Sequence, residues 1–96
     1  MKLYRWDEEK NAKLKRDRGI GFEAVIEAIK SARVVDDYEH PNETKYPHQR
    51  IMVVIIENYG YIVPYIENET EMIFKTLIPS RKATKKYLKK VKGGIV

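Results

Sequence analysis

The chain has no cysteine among its 96 residues, which excludes disulfides, thiolate metal sites and a cysteine nucleophile. Long apolar runs are missing too. The longest, Ile51 to Ile56, is strand-sized and far short of the ~20 residues a membrane helix needs. The opening Met1-Lys2-Leu3-Tyr4-Arg5-Trp6-Asp7 has no apolar h-region, so the expectation is a cytoplasmic protein with no signal peptide and no membrane partner. Acidic residues stop at Glu71. With 43% hydrophobic and 34% charged residues, the composition suits a folded chain rather than a disordered one. Its length suits one domain over residues 1–96.

What charge there is falls unevenly. The net value of +5 combines +3 over residues 1–18, −6 over residues 19–74 and +8 over residues 75–96. A basic segment with no acidic partner is an electrostatic footprint for phosphate. It is equally the solvated face of a last helix, with Lys85, Lys86, Lys89 and Lys90 turned to water.

Leu3-Tyr4-Arg5-Trp6 alternates and is rich in aromatics, which predicts a short strand. Asp7 stands where an N-cap belongs, with Glu8 and Glu9 in the first turn of a helix running to Arg18 and stopped by Gly19. The apolar face of that helix is thin, essentially Ala12 and Leu14. Phe22, Val25, Ile26 and Ile29 follow at i, i+3, i+4 and i+7, predicting a second helix over Phe22–Ser31 that fills the core. Val34-Val35 starts a strand, and the polar stretch from Asp36 to His48, with two prolines, predicts a long loop or a frayed edge strand.

Ile51–Ile56 is apolar on both faces and predicts a central strand. Glu57–Gly60 supplies a turn, and Tyr61–Ile66 answers as the next strand, bulged or at an edge where Pro64 removes a donor. After a turn at Asn68–Thr70, Met72–Ile78 makes the last strand. Ser80 then caps a final helix that turns Ala83, Tyr87, Leu88 and Val91 inward and stops at Gly93-Gly94. The order β-α-α-β-β-β-β-α predicts an α+β fold, an antiparallel sheet covered by helices.

Trp6-Asp7-Glu8-Glu9-Lys10-Asn11, followed by Gly19-Ile20 and Phe22-Glu23, resembles the opening of the BrnT family of ribonuclease toxins. Ile78-Pro79-Ser80-Arg81-Lys82-Ala83-Thr84 is similar to that family's closing motif, which runs from a strand into the last helix. The resemblance covers about residues 3–31 and 72–88. Arg18 stands where the family often has His, and Thr76 where it usually has Arg. The resemblance implies a RelE-like fold, with a twisted antiparallel sheet flanked by helices, and RNA cleavage without a metal or other cofactor. It also implies growth arrest and neutralisation by a cognate antitoxin, within a toxin–antitoxin hetero-oligomer.

Such cleavage sets a 2′-hydroxyl in line with the scissile phosphate, removes its proton and neutralises the charge that develops. Arg81, at a strand-to-helix junction, is the first candidate, either on that phosphate or in a plain salt bridge. Lys75 is a phosphate ligand on the concave face or an outward solvated side chain. Arg50 opens the central strand and either flanks the same surface or is a plain solvated side chain. His40 is the preferred acid–base candidate, because histidine is the residue type whose ordinary pKa suits such work near neutrality, or else a surface-loop histidine with no role. The resemblance to RelE-like enzymes implies that Tyr46, Tyr61 and Tyr65 can act in place of histidine; otherwise they are packing residues. Lys82, Lys85 and Lys86 of the last helix, with Lys10 of the first, are the candidates for holding RNA. Trp6 reads as a core anchor rather than a stacking platform. Two other classes fit the same residues: a basic nucleic-acid-binding module without catalysis, and a partner-binding scaffold derived from such a toxin.

Overall fold

The computed structural model describes residues 2–88, with Leu88 described through its backbone only. The order is β1 (Leu3–Arg5), α1 (Glu8–Arg18), α2 (Phe22–Lys30), β2 (Val34–Glu39), β3 (Gln49–Ile56), β4 (Tyr59–Glu67), β5 (Glu71–Phe74), β6 (Ile78–Pro79) and α3 (Arg81–Ala83). α3 continues into a π-helical turn, Thr84–Leu88. The fold is α+β, with one two-residue strand more than the expected order. Val91, Gly93-Gly94, Lys89, Lys90 and the inward role of Leu88 lie outside the described residues.

The sheet is mixed, not antiparallel throughout. Its strands run in the order β1-β5-β4-β3-β2, with β6 also paired to β4, and β1 lies parallel to β5. Three hairpin reversals from β2 make β5 point opposite to β2. Along β1, Leu3, Tyr4 and Arg5 then pair with Glu71, Met72 and Ile73. The element order predicts an antiparallel sheet, and a three-residue strand carries no periodicity that reveals its partner or direction, so the parallel β1–β5 pairing is not legible in the sequence. The pairing has a packing consequence. It stacks Tyr4 on Phe74 at 5.6 Å and Trp6 on Phe22 and Phe74 at 5.7 and 6.1 Å. Trp6 is thus a core anchor.

α1 is held at both ends. Asp7 Oδ1 accepts from the N–H groups of Glu9 and Lys10, and Gly19 takes a left-handed φ of +79°. Its inward face is Asn11 and Leu14; Ala12 is exposed, contrary to expectation. Asn11 points at the start of α2, where Oδ1 accepts from Phe22 N–H at 2.7 Å and Nδ2 donates to Glu23 at 2.9 Å. α2 in turn buries Phe22, Val25 and Ala28, leaving Ile26 and Ile29 half-buried.

β3 is buried on both faces, as its apolar run predicts. Met52, Val54 and Ile56 join the core under α1 and α2, while Val53 faces the opposite side, which α3 crosses. The β3–β4 reversal uses Glu57-Asn58, at φ +51° and +63°, between the paired Ile56 and Tyr59. That is the backbone of a two-residue hairpin of the primed type. Gly60 therefore belongs to β4 rather than to the turn.

The expected strand Met72–Ile78 is broken in two. Tyr65 pairs with Phe74 and Ile62 with Ile78, so three residues, Lys75–Leu77, stand against Val63 and Pro64. Lys75 N–H donates to Pro64 O at 2.8 Å, and Pro64 has no N–H to return on that side. The missing donor and the bulge coincide.

Candidate nucleic-acid interface

α3 reaches the sheet through Gly60. Gly60 O accepts from Ser80 N–H at 2.9 Å, and Gly60 N–H donates to Thr84 Oγ1 at 2.8 Å, which itself donates to Ser80 O. A Cβ at position 60 would stand 2.9 Å from Thr84 N and 3.1 Å from Ala83 C, so this approach requires glycine. Ser80 Oγ accepts from Ala83 N–H, the expected N-cap. From there the helical segment crosses towards β2, where the Tyr87 hydroxyl donates to Asp36 Oδ2 in a short hydrogen bond.

This crossing presents Arg81, Lys82, Lys85 and Lys86, all exposed, with no acidic residue in the segment. Beside it opens a cleft of about 340 Å³. Asp36 and Tyr38 of β2 form one wall, and Ser80, Lys82, Lys86 and Tyr87 the other. Val53, Ile62 and Ala83 make its apolar floor. Lys86 Nζ also lies 5.1 Å from the centre of the Tyr87 ring. The Asp36 carboxyl is held below its ordinary range by the Tyr87 hydroxyl, then by the Asp37 N–H at 2.8 Å, with the Lys86 charge adding to both. The same contact pushes Tyr87 up, with burial reinforcing it.

The other expected site residues lie elsewhere. Arg50 pairs with Tyr65 across β3 and β4, whereas Pro79 pairs with Tyr61, four residues away along β4. At about 3.3 Å per residue this separates the two levels by ~13 Å, and Arg81 lies beyond the Tyr61 level. Arg50 Nε donates to Asp37 Oδ1 at 3.0 Å, and the Tyr65 hydroxyl donates to the same carboxylate at 2.7 and 2.8 Å. Tyr65 and Asp37 hold Arg50 protonated. Burial, then Asp37, drives the Tyr65 phenol far up. At 1% exposure Tyr65 is closed to any substrate.

His40 stands at the same end as Arg50. Its Nδ1 accepts from Asn42 N–H at 3.1 Å, and its ring lies 4.4 Å from that of Tyr46. Lys10 and Lys75 meet on the far side of β4, where Lys10 Nζ donates to the Lys75 carbonyl at 3.0 Å and ties α1 to the bulge. Tyr61 is pushed up chiefly by burial, then by Glu57, against the opposing charge of Arg18. Among the described residues, no group of three or more His, Asp or Glu is placed to hold a metal. No described helix is long and apolar enough to cross a membrane.

The structure thus gathers Lys82 and Lys86 at the cleft, keeps Arg81 and Lys85 exposed on the same segment but outside the cleft lining, and leaves His40, Arg50, Lys75 and Lys10 elsewhere. Sequence reasoning missed Asp36 and Tyr38. Their period-two spacing was the available signal, in a stretch that reads as a loop or a frayed edge strand; the edge strand is what forms as far as Glu39. Compared with known families, curated proteins and solved structures, the chain gives no match to a family model, a curated protein or a solved structure.

Proposed function

We propose that the chain is an RNA-cleaving toxin of the BrnT type, with a RelE-like fold, acting in the cytoplasm and neutralised by a cognate antitoxin. The observation that carries this reading is the acid-free helical segment Arg81–Lys86, set beside a cleft that also offers phenol and carboxylate groups. The likeness of both chain ends to that family supports it. In this reading Arg81 and Lys82 take the charge that develops on the phosphate, and acid–base help worth about 10²–10⁴-fold comes from groups within reach of the cleft rather than from His40. An antitoxin would cover this basic surface with an acidic or amphipathic segment.

Expression of wild type and Arg81→Ala in a host without antitoxin, with total RNA examined, tests the proposal. Growth arrest with fragmented RNA, both lost in the folded mutant, is the expected result. A fully toxic mutant would remove Arg81 from the site. A second reading, RNA binding without cleavage, is favoured by one observation: both histidines lie outside the cleft. Intact RNA at every expression level, together with salt-sensitive RNA binding, would select it.

A further inference from the structure

We propose that the cleft between β2 and the α3 segment receives one unstacked nucleotide of single-stranded RNA, with Tyr38 as its stacking platform and Lys82 and Lys86 on its phosphates. The inference rests on the RNA reading above and specifies the form of RNA that the site takes.

Tyr38 is 40% exposed, one of three large apolar side chains left open among the described residues. The other two, Leu3 and Ile78, do not line the cleft. Within the described residues its ring has no aromatic partner and its hydroxyl no hydrogen bond. It shares a face of β2 with Asp36, and both line the strand wall.

The two walls differ in sign. Lysines occupy the helix wall, and the strand wall carries a carboxylate held ionised by Tyr87 and the Asp37 N–H. A phosphate is therefore drawn to the helix wall and repelled from the strand wall. A base suits the opposite side, where an aromatic face offers stacking and a carboxylate can accept from its amino or imino groups. The apolar floor and the volume of about 340 Å³ fit a single base with its sugar rather than a base pair. Bases in a duplex are stacked and paired, and cannot reach such a platform. An acidic peptide would satisfy the lysines but leave Tyr38 and Asp36 unexplained.

Fluorescence anisotropy of the full chain with a short labelled single-stranded RNA, and with an RNA duplex of equal length, tests this. Tyr38→Ala should weaken single-strand binding by about 5- to 150-fold, the effect of losing one stacked base, and leave duplex binding unchanged. Tyr38→Trp should retain binding, with its fluorescence quenched by the single strand. Replacing Lys82 and Lys86 by Ala together should lower the salt slope for the single strand by about 1.4. Unchanged single-strand affinity in folded Tyr38→Ala, preference for duplex, or an acidic peptide bound where RNA is not, would each overturn the proposal. RNA bound through Tyr38 but never cut would leave it standing and sink the ribonuclease reading. RNA cut equally well by Tyr38→Ala would do the reverse.

Discussion

Asn11 of α1 caps α2: its Oδ1 accepts the Phe22 N–H at 2.7 Å, from a side chain only 2% exposed. Gly21, the residue at the N-cap position of α2, has no side chain to do this. A Cβ there would stand 2.2 Å from Asn11 Oδ1, so the glycine and the asparagine require each other. Asn11→Leu should keep the branched heavy-atom shape but orphan the Phe22 N–H and crowd it with a methyl group, costing at least about 1–3 kcal/mol. Gly21→Ala should destabilise by pushing Asn11 away. Urea unfolding of both variants checks this, and wild-type stability in Asn11→Leu would deny the cap any energetic role.

The same contact explains what was legible in the sequence. Asp7, Gly19 and Phe22 announced themselves by position, because caps, left-handed stops and a 3.6-residue stripe are local rules. Asn11 did not, since its partner lies eleven residues on, across a helix–helix corner. The opening motif that resembles the toxin family is built largely of such folding residues: Asp7 caps α1, Asn11 caps α2, Gly19 ends α1 and Glu23 meets Lys15 and Asn11. It therefore reports on architecture more than on chemistry. The cleft was less legible, because Asp36, Tyr38 and Tyr87 meet only after β2 has paired at the sheet edge.

Acidity should act on the docking of the α3 segment. Asp36 is held below its ordinary value of 3.8, so the ionised form is favoured in the folded chain. This contribution is present above about that value and is lost as pH falls through the lower folded value. Tyr87 is shifted the other way, above its ordinary 10.0, so its contribution is lost only as pH rises beyond that value. The contact should hold from weakly acidic to weakly alkaline pH and open at both extremes. Tyr87→Phe should abolish the alkaline dependence and move the acid one up towards the ordinary Asp36 value, since only the Asp37 N–H and the Lys86 charge still hold that carboxyl down, as followed by NMR shifts of residues near Asp36. A Phe variant with the wild-type acid transition would exclude this pair as its cause.

Arg50 and Tyr65 share Asp37 but differ in burial. The Arg50 and Asp37 side chains are 37% and 40% exposed, so solvent screens the pair and Arg50→Ala should cost little stability. Tyr65→Phe removes a hydroxyl bound to a carboxylate from a residue that is 1% exposed, and should cost about 1.5–3 kcal/mol. Denaturation midpoints would show the order. If Arg50→Ala instead leaves stability alone and abolishes RNA cleavage, Arg50 acts on substrate despite its distance from Arg81.

Gly60 couples the sheet to the basic segment. Gly60→Ala drives a methyl group into Thr84 N and Ala83 C, while Thr84→Val removes the hydroxyl that accepts the Gly60 N–H and donates to Ser80 O. Neither change touches the aromatic cluster of Trp6, Phe22 and Phe74, which lies among the residues packed beneath α1 and α2. Both variants should therefore keep the sheet and its core but release α3, exposing the bonds after Arg81, Lys82 and Lys85 to trypsin. Faster cleavage at those sites, with far-UV circular dichroism otherwise intact, is the expected outcome. Uniform proteolysis along the chain would mean instead that α3 is part of the cooperative core, and that the cleft cannot open without unfolding the sheet.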